Sequence, residues 1–339
     1  MGRGRVVKIV FFGTPDYVTP ILMAIHRAFT TGPGKSPIIA VVTQSPKDSG
    51  RKKILTYSAV DHWGYKHKLP VYFNPLDLIK NDTDAQLGVL AAYGSIIPSQ
   101  VIKLFPHGIL NIHPSLLPKF RGASPIQAGI ISDQKETGVS IIKIDEQLDH
   151  GPIVSQFKEQ VLPDDTTETL RRRLFERSAE VLVTLIDPFL KGKITLKPQN
   201  HEEATFTKLL KKEYGFIPPE YLEAALSGQS LQVEWKIPFM KTKSSQASLI
   251  KDFAIHPTPV TIHNFIRAMY PWPIAWTLLR LSSSGQAKRL KILEAHLDPD
   301  TGHLTLATVQ LEGKTPVSWQ QFKEAYPNSK FAEDENTGS

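Results

Sequence analysis

Residues 6–43 read VVKIVFFGTPDYVTPILMAIHRAFTTGPGKSPIIAVVT, and the fold is decided in that stretch. Val6 to Phe12 is apolar at nearly every position, Val18 to Phe29 carries apolar residues at helical spacing, and Pro37 to Thr43 is a second apolar run. Continuous apolar runs suit strands covered on both faces, so strand, helix and strand make a βαβ unit.

The rhythm continues through the runs Leu87 to Tyr93, Gly108 to His113 and Val139 to Asp145, with helical patterns over Ser99 to Leu104 and Pro125 to Ile131. The expected class is α/β, a Rossmann-like, open and mostly parallel sheet. A strand over Ile153 to Val161 precedes a long amphipathic helix, Thr166 to Leu190, whose Leu170, Leu174, Ala179, Val183 and Ile186 share one face. That helix closes a first domain, residues 1–190. The polar stretch 191–205 reads as a linker, 206–331 as a smaller and partly β domain, and 332–339 as a frayed tail. Ser227 to Ser248 shows no clear helix period, and Leu290 to Val309 is strand-rich.

At 339 residues, 41% hydrophobic and 22% charged, the composition is that of a globular protein of two domains. No apolar run reaches the roughly 20 residues that cross a bilayer. The opening MGRGR leads straight into Val6, so no membrane partner and a cytoplasmic location are expected. The absence of cysteine excludes disulfides, thiolate nucleophiles and cysteine-ligated zinc. The histidines lack paired helical spacing, so no metal is expected. A net charge of +7 favours a polyanionic partner, because Lys and Arg neutralise phosphates and release counterions. Gly34-Lys35-Ser36 imitates the end of a phosphate-binding loop, but Phe29 stands where the earlier glycine is required.

The chemistry concentrates in residues 111–118, NIHPSLLP, followed by Phe120-Arg121-Gly122. Period-two alternation puts Asn111 and His113 on one face at the carboxyl end of a strand, where open α/β sheets bind ligands. Pro114 then turns the chain out of the sheet. Leu148-Asp149-His150-Gly151-Pro152 follows the next apolar strand, so the Asp149 carboxylate also emerges near strand ends.

NIHPSLLP with its F-R-G, and LDHGPI after SIIKID, resemble the signature of enzymes that transfer formyl from 10-formyltetrahydrofolate. The resemblance, spread over residues 6–325, implies 10-formyltetrahydrofolate as co-substrate. It implies Asn111, His113 and Asp149 as reaction centre, and Ser115, Leu116, Leu117 and Pro118 as lining of the folate site. The residue types suit the chemistry. Amine attack on a formyl carbon makes an oxyanion that Asn111 and a protonated His113 can stabilise, while Asp149 sets the imidazole's orientation.

Three further stretches resemble the branch of that family whose acceptor is methionyl initiator tRNA. They are KIVFFGTPDY (8–17), the basic loop Ser45 to Lys53, and RAMYPWPIAW (267–276). The resemblance implies tRNA contacts from Arg51, Lys52 and Lys53, a monomer, and an oligonucleotide-binding (OB-like) β-barrel as second domain. The basic face of that barrel is expected from Lys236, Lys241, Lys243, Lys251, Arg267, Lys288, Arg289 and Lys291, with Trp272 and Trp276 as core anchors. The alternative acceptor is a small amine such as an amino sugar nucleotide.

Overall fold

Ile9, Val10, Phe11 and Phe12 are all buried, which a strand achieves only with strands on both edges and side chains packed over both faces. The computed structural model describes residues 7–32, 34–49, 54–243, 250–282, 286–298 and 300–332. It divides the chain into two compact units, 1–121 with 137–159 and 171–204, and 122–136 with 160–170 and 205–339.

In the first unit a seven-stranded sheet runs in the order Ile153–Gln160, Glu136–Lys143, Ile109–His113, Leu87–Ala91, Ile9–Gly13, Ile38–Val42 and Val71–Tyr72. The last five of these are mutually parallel. Glu136–Lys143 runs antiparallel to Ile109–His113, pairing Asn111 with Ile142 and His113 with Ser140. Thr19–Phe29 buries Ile21, Leu22 and Ile25, each side chain contributing about 1.5–3 kcal/mol of apolar burial. Phe12 meets Tyr93 and Phe105 edge-on, with centroids 6.1 and 5.9 Å apart. The helix Thr167–Leu190 buries Leu170, Leu174, Ala179 and Ile186 as the periodicity predicts, but Leu182 rather than Val183 is buried, and Phe175, which the pattern did not name, is buried with them. Sequence reading passed over Ala59–Lys66, a short helix capped by Ser58, and the hairpin of Lys47–Ser49 with Ile54–Thr56.

The stretch read as a linker is packed. Lys197 and Ile153 exchange backbone hydrogen bonds of 2.9 and 2.8 Å, and Gln199 is buried.

In the second unit a five-stranded antiparallel sheet runs in the order Val317–Ser318, Leu304–Leu311, Lys288–Leu297, Ala275–Arg280 and Lys330–Phe331. Against it packs Pro259–Met269, a helix begun by a Thr258 capping box and burying Ile262, Phe265, Ile266 and Met269. The stretch without helix period holds the strand Trp235–Lys243, antiparallel to Ile250–Ile255 and Thr205–Thr207.

Two expectations about this unit are corrected. Trp272 is 48% exposed and Trp276 is only half-buried. On Ala275–Arg280 the inward positions are Ala275, Thr277 and Leu279, so alternation sends Trp276 to the opposite face. There it lies against Phe216, centroids 4.7 Å apart, and under the Arg289 guanidinium at 3.9 Å. Arg267 does not belong to a basic face. It is buried and donates to Asn264 Oδ1 from Nε and Nη2 (3.1 and 3.0 Å), and from Nη1 to the carbonyls of Leu162 (3.2 Å) and Asp165 (2.7 Å).

Candidate active site

The strand Ile109–His113 delivers Asn111 and His113 to the same face, and the loop after Glu136–Lys143 brings Asp149 to them. All three are nearly inaccessible, at 7%, 4% and 9% exposure. Asp149 bridges the other two, since Asn111 Nδ2 donates to Oδ1 at 3.2 Å and His113 Nδ1 stands 3.4 Å from Oδ2. The opposite ring nitrogen, His113 Nε2, donates to the Phe120 carbonyl at 3.0 Å. Both ring nitrogens therefore face oxygen atoms, the Asp149 carboxylate on one side and the Phe120 carbonyl on the other.

The Phe120 carbonyl is a part of the site that sequence reading missed. Its signal was the F-R-G motif, which marks the residue without showing that its backbone oxygen is what reaches the ring. Phe120 and Asp149 both have positive φ, +60° and +49°, a backbone state costing a non-glycine residue roughly 1–2 kcal/mol. The next residue, Arg121, is buried. Burial pulls its pKa down, and the charges of Asp149 and Asp145 act against that pull.

Ser115 to Pro118 leave the strand end as a turn whose polar backbone is tied inward. Ser115 Oγ donates to the Lys119 carbonyl at 2.6 Å. The Ser140 hydroxyl donates to the Ser115 carbonyl (2.7 Å) and accepts from Leu117 N (2.9 Å) and Gln156 Nε2 (2.7 Å). Ser115 and Leu117 are buried, whereas Leu116 and Pro118 are half-exposed. Arg51, Lys52 and Lys53 lie outside the described residues, in the chain between Lys47–Ser49 and Ile54–Thr56. Among the basic residues of the second unit, Lys241 is ion-paired to Asp252, and Lys251 and Lys288 are exposed.

Among the described residues no group of three His, Asp or Glu side chains could hold a metal ion. No helix among them is long and apolar enough to cross a membrane. The second unit contains a cavity of about 760 Å³ whose walls include Glu220, Glu223, Trp319, Lys323 and Phe331, and none of the three clustered residues.

A parallel sheet whose strand end gathers a carboxamide, an imidazole and a carboxylate defines the class: residues 7–186 match the formyl transferase family and residues 255–305 match the formyl transferase C-terminal domain. Within that class the chain belongs to the methionyl-tRNA formyltransferase family. It is 32% identical over 306 residues to the methionyl-tRNA formyltransferase of Chloroflexus aggregans, covering 88% of this chain and 83% of that protein. The fold is shared with the methionyl-tRNA formyltransferase of Clostridium thermocellum, with TM-score 0.50, 16% identity and coverage of 90% and 98%. It is shared too with an N-formyltransferase from Helicobacter canadensis solved with folinic acid and dTDP-3-aminofucose, with TM-score 0.58, 14% identity and coverage of 87% and 89%.

Proposed function

We infer that the chain transfers the formyl group of 10-formyltetrahydrofolate to the amino group of methionyl initiator tRNA, in support of translation initiation. The observation that carries the chemistry is the Asp149 carboxylate bridging Asn111 and His113 in a nearly closed site. The acceptor follows from the family to which the chain belongs.

The amino nitrogen attacks the formyl carbon, a C–N bond forms, and the carbonyl oxygen becomes an oxyanion. Asn111 has a second amide hydrogen beyond the one given to Asp149, and the 3.4 Å contact at His113 Nδ1 is too long to hold its proton tightly. Both groups can then donate to the oxyanion as it forms. The bond from Nε2 to the Phe120 carbonyl keeps the ring in place meanwhile. Asp149, directly or through water, takes the proton from the attacking nitrogen. As the oxyanion collapses the bond from the formyl carbon to nitrogen 10 breaks, and Asp149 passes that proton, directly or through the same water, to nitrogen 10, giving formyl-methionyl-tRNA and tetrahydrofolate. No covalent enzyme intermediate and no metal take part.

Ser115, Leu116, Leu117 and Pro118 form the wall for the folate. Arg51, Lys52 and Lys53 contact the tRNA acceptor end, and residues 206–331 are the tRNA-binding domain, against 1–190 as the catalytic domain. The working form is a cytoplasmic monomer.

The test is formyl transfer from 10-formyltetrahydrofolate to charged methionyl initiator tRNA, run beside free methionine and a dTDP-linked amino sugar. Rapid transfer to the tRNA alone is expected. Transfer to the sugar with the tRNA untouched would overturn the acceptor and leave the chemistry standing.

A further inference from the structure

The geometry points to Gln199 as a positioning residue that, together with Arg121, fixes the two oxygen partners of the His113 ring. The role rests on the transfer reaction proposed above. Neither partner belongs to the strand that carries His113. The Asp149 carboxylate and the Phe120 carbonyl come from separate loops, each held at positive φ in a residue that is not glycine. Backbone of that kind persists where its surroundings over-determine it.

Gln199 reaches both loops at once. Its Oε1 accepts from Arg121 Nε at 3.2 Å and Nη2 at 2.6 Å, and Arg121 is the peptide neighbour of Phe120. Its Nε2 donates to the carbonyls of Asp149 at 2.9 Å and Gly151 at 2.8 Å. The amide can sit only this way round, because a guanidinium donates without accepting and a carbonyl accepts without donating. Both amide hydrogens and the oxygen are thereby engaged across one buried side chain.

The brace is itself anchored. Lys197, two residues earlier, is tied to Ile153 by backbone bonds in both directions. Two residues later, His201 Nδ1 lies 2.7 Å from Arg121 Nη2, and its ring stacks on His150 with centroids 4.0 Å apart and the planes nearly parallel at 4°. His150 follows Asp149, and its Nδ1 meets Asp145 Oδ2 at 2.6 Å. On the far side of the loop, a side chain at Gly151 would come within 1.9 Å of the Lys143 carbonyl, so the loop has no room to retreat that way. Gln199 thus controls where the Asp149 carboxylate stands relative to the ring, without itself approaching the substrates.

Two full-length variants test this. Gln199→Glu keeps size and the Arg121 partner but turns an acceptor oxygen toward two carbonyls; Gln199→Met keeps volume and removes every hydrogen bond. For each we expect kcat to fall by about 10²-fold, the scale of a misplacement near 1 Å, with the KM for folate and tRNA within about threefold. In the free enzyme the ¹⁵N resonances of the His113 ring, and their pH titration, should move away from those of the wild type. A merely structural glutamine would lower the unfolding midpoint and leave those ring signals alone. Should the Met variant not fold, the Glu variant decides. A kcat within threefold of wild type, a loss carried by KM, or unchanged His113 ring signals would each overturn the assignment. The ring signals need no substrate, so a wild-type chain that failed to formylate tRNA would remove the acceptor while Gln199 could still be judged.

Discussion

Asp149 Oδ2 lies 3.4 Å from His113 Nδ1, longer than a settled hydrogen bond, while the other oxygen of the same carboxylate takes the Asn111 amide at 3.2 Å. One carboxylate is therefore shared between a carboxamide and an imidazole, and neither contact is short.

Asp149→Asn keeps shape and removes the negative charge. Steady-state formylation should show kcat reduced by about 10²-fold or more, the usual worth of a positioned acid–base group, while folate affinity measured by calorimetry changes little. Turnover close to wild type would sink the role given to the carboxylate.

Arg51→Ala should raise the KM for tRNA and flatten its salt dependence by about one unit of log–log slope, as expected for a lost phosphate contact. Folate binding should be spared. Identical kinetics across a salt series in both proteins would remove Arg51 from the tRNA contact.

Arg267→Met tests the buried arginine. Removing it strands the Asn264 oxygen and the carbonyls of Leu162 and Asp165, and breaking a buried charged network costs about 3–5 kcal/mol. Urea unfolding should show a lower midpoint at similar slope. A midpoint unmoved from wild type, with tRNA affinity lowered instead, would restore Arg267 to the surface.

His263 supplies a pH dependence. Burial, and then the Arg267 charge, push its pKa below the ordinary value of 6.5; His296 acts the same way, while Asp164 and the Ala295 backbone oppose. The native state therefore keeps the ring neutral at a pH where the unfolded chain, titrating near 6.5, already takes up a proton. Stability from this group is complete above that value and is lost as pH falls toward the lower folded pKa. Thermal midpoints at pH 7.5 and 5.5 should differ less in His263→Gln than in the wild type; an equal difference would show that other groups carry the effect.

The sheet was legible in the sequence because burial on both faces leaves continuous apolar runs such as Ile9 to Phe12, and Asn111 and His113 were legible because alternation places them together. Gln199 was not, because a brace works through one amide between loops and leaves no periodic trace in a polar stretch. The Phe120 contribution is a backbone carbonyl, which every residue type supplies. Trp272 and Trp276 were misplaced because size alone suggests the core, whereas Trp272 stands exposed ahead of the strand, and strand alternation with a covering arginine takes Trp276 to the other face. The helix Pro259–Met269 was readable in principle: Ile262, Phe265, Ile266 and Met269 keep helical spacing behind a Thr cap.

The Ser140 hydroxyl gives its one hydrogen to Ser115 and fills both lone pairs with Leu117 and Gln156. That oxygen atom, with Gln156 Nε2 also reaching the Leu117 carbonyl at 3.2 Å, is the knot through which the Ser115–Pro118 turn is sewn to the sheet beside it. With that turn as the proposed wall for the folate, redesign for a bulkier carbon donor would begin at Ser140 and Gln156 together, since loosening the turn from its own side would leave that knot tied.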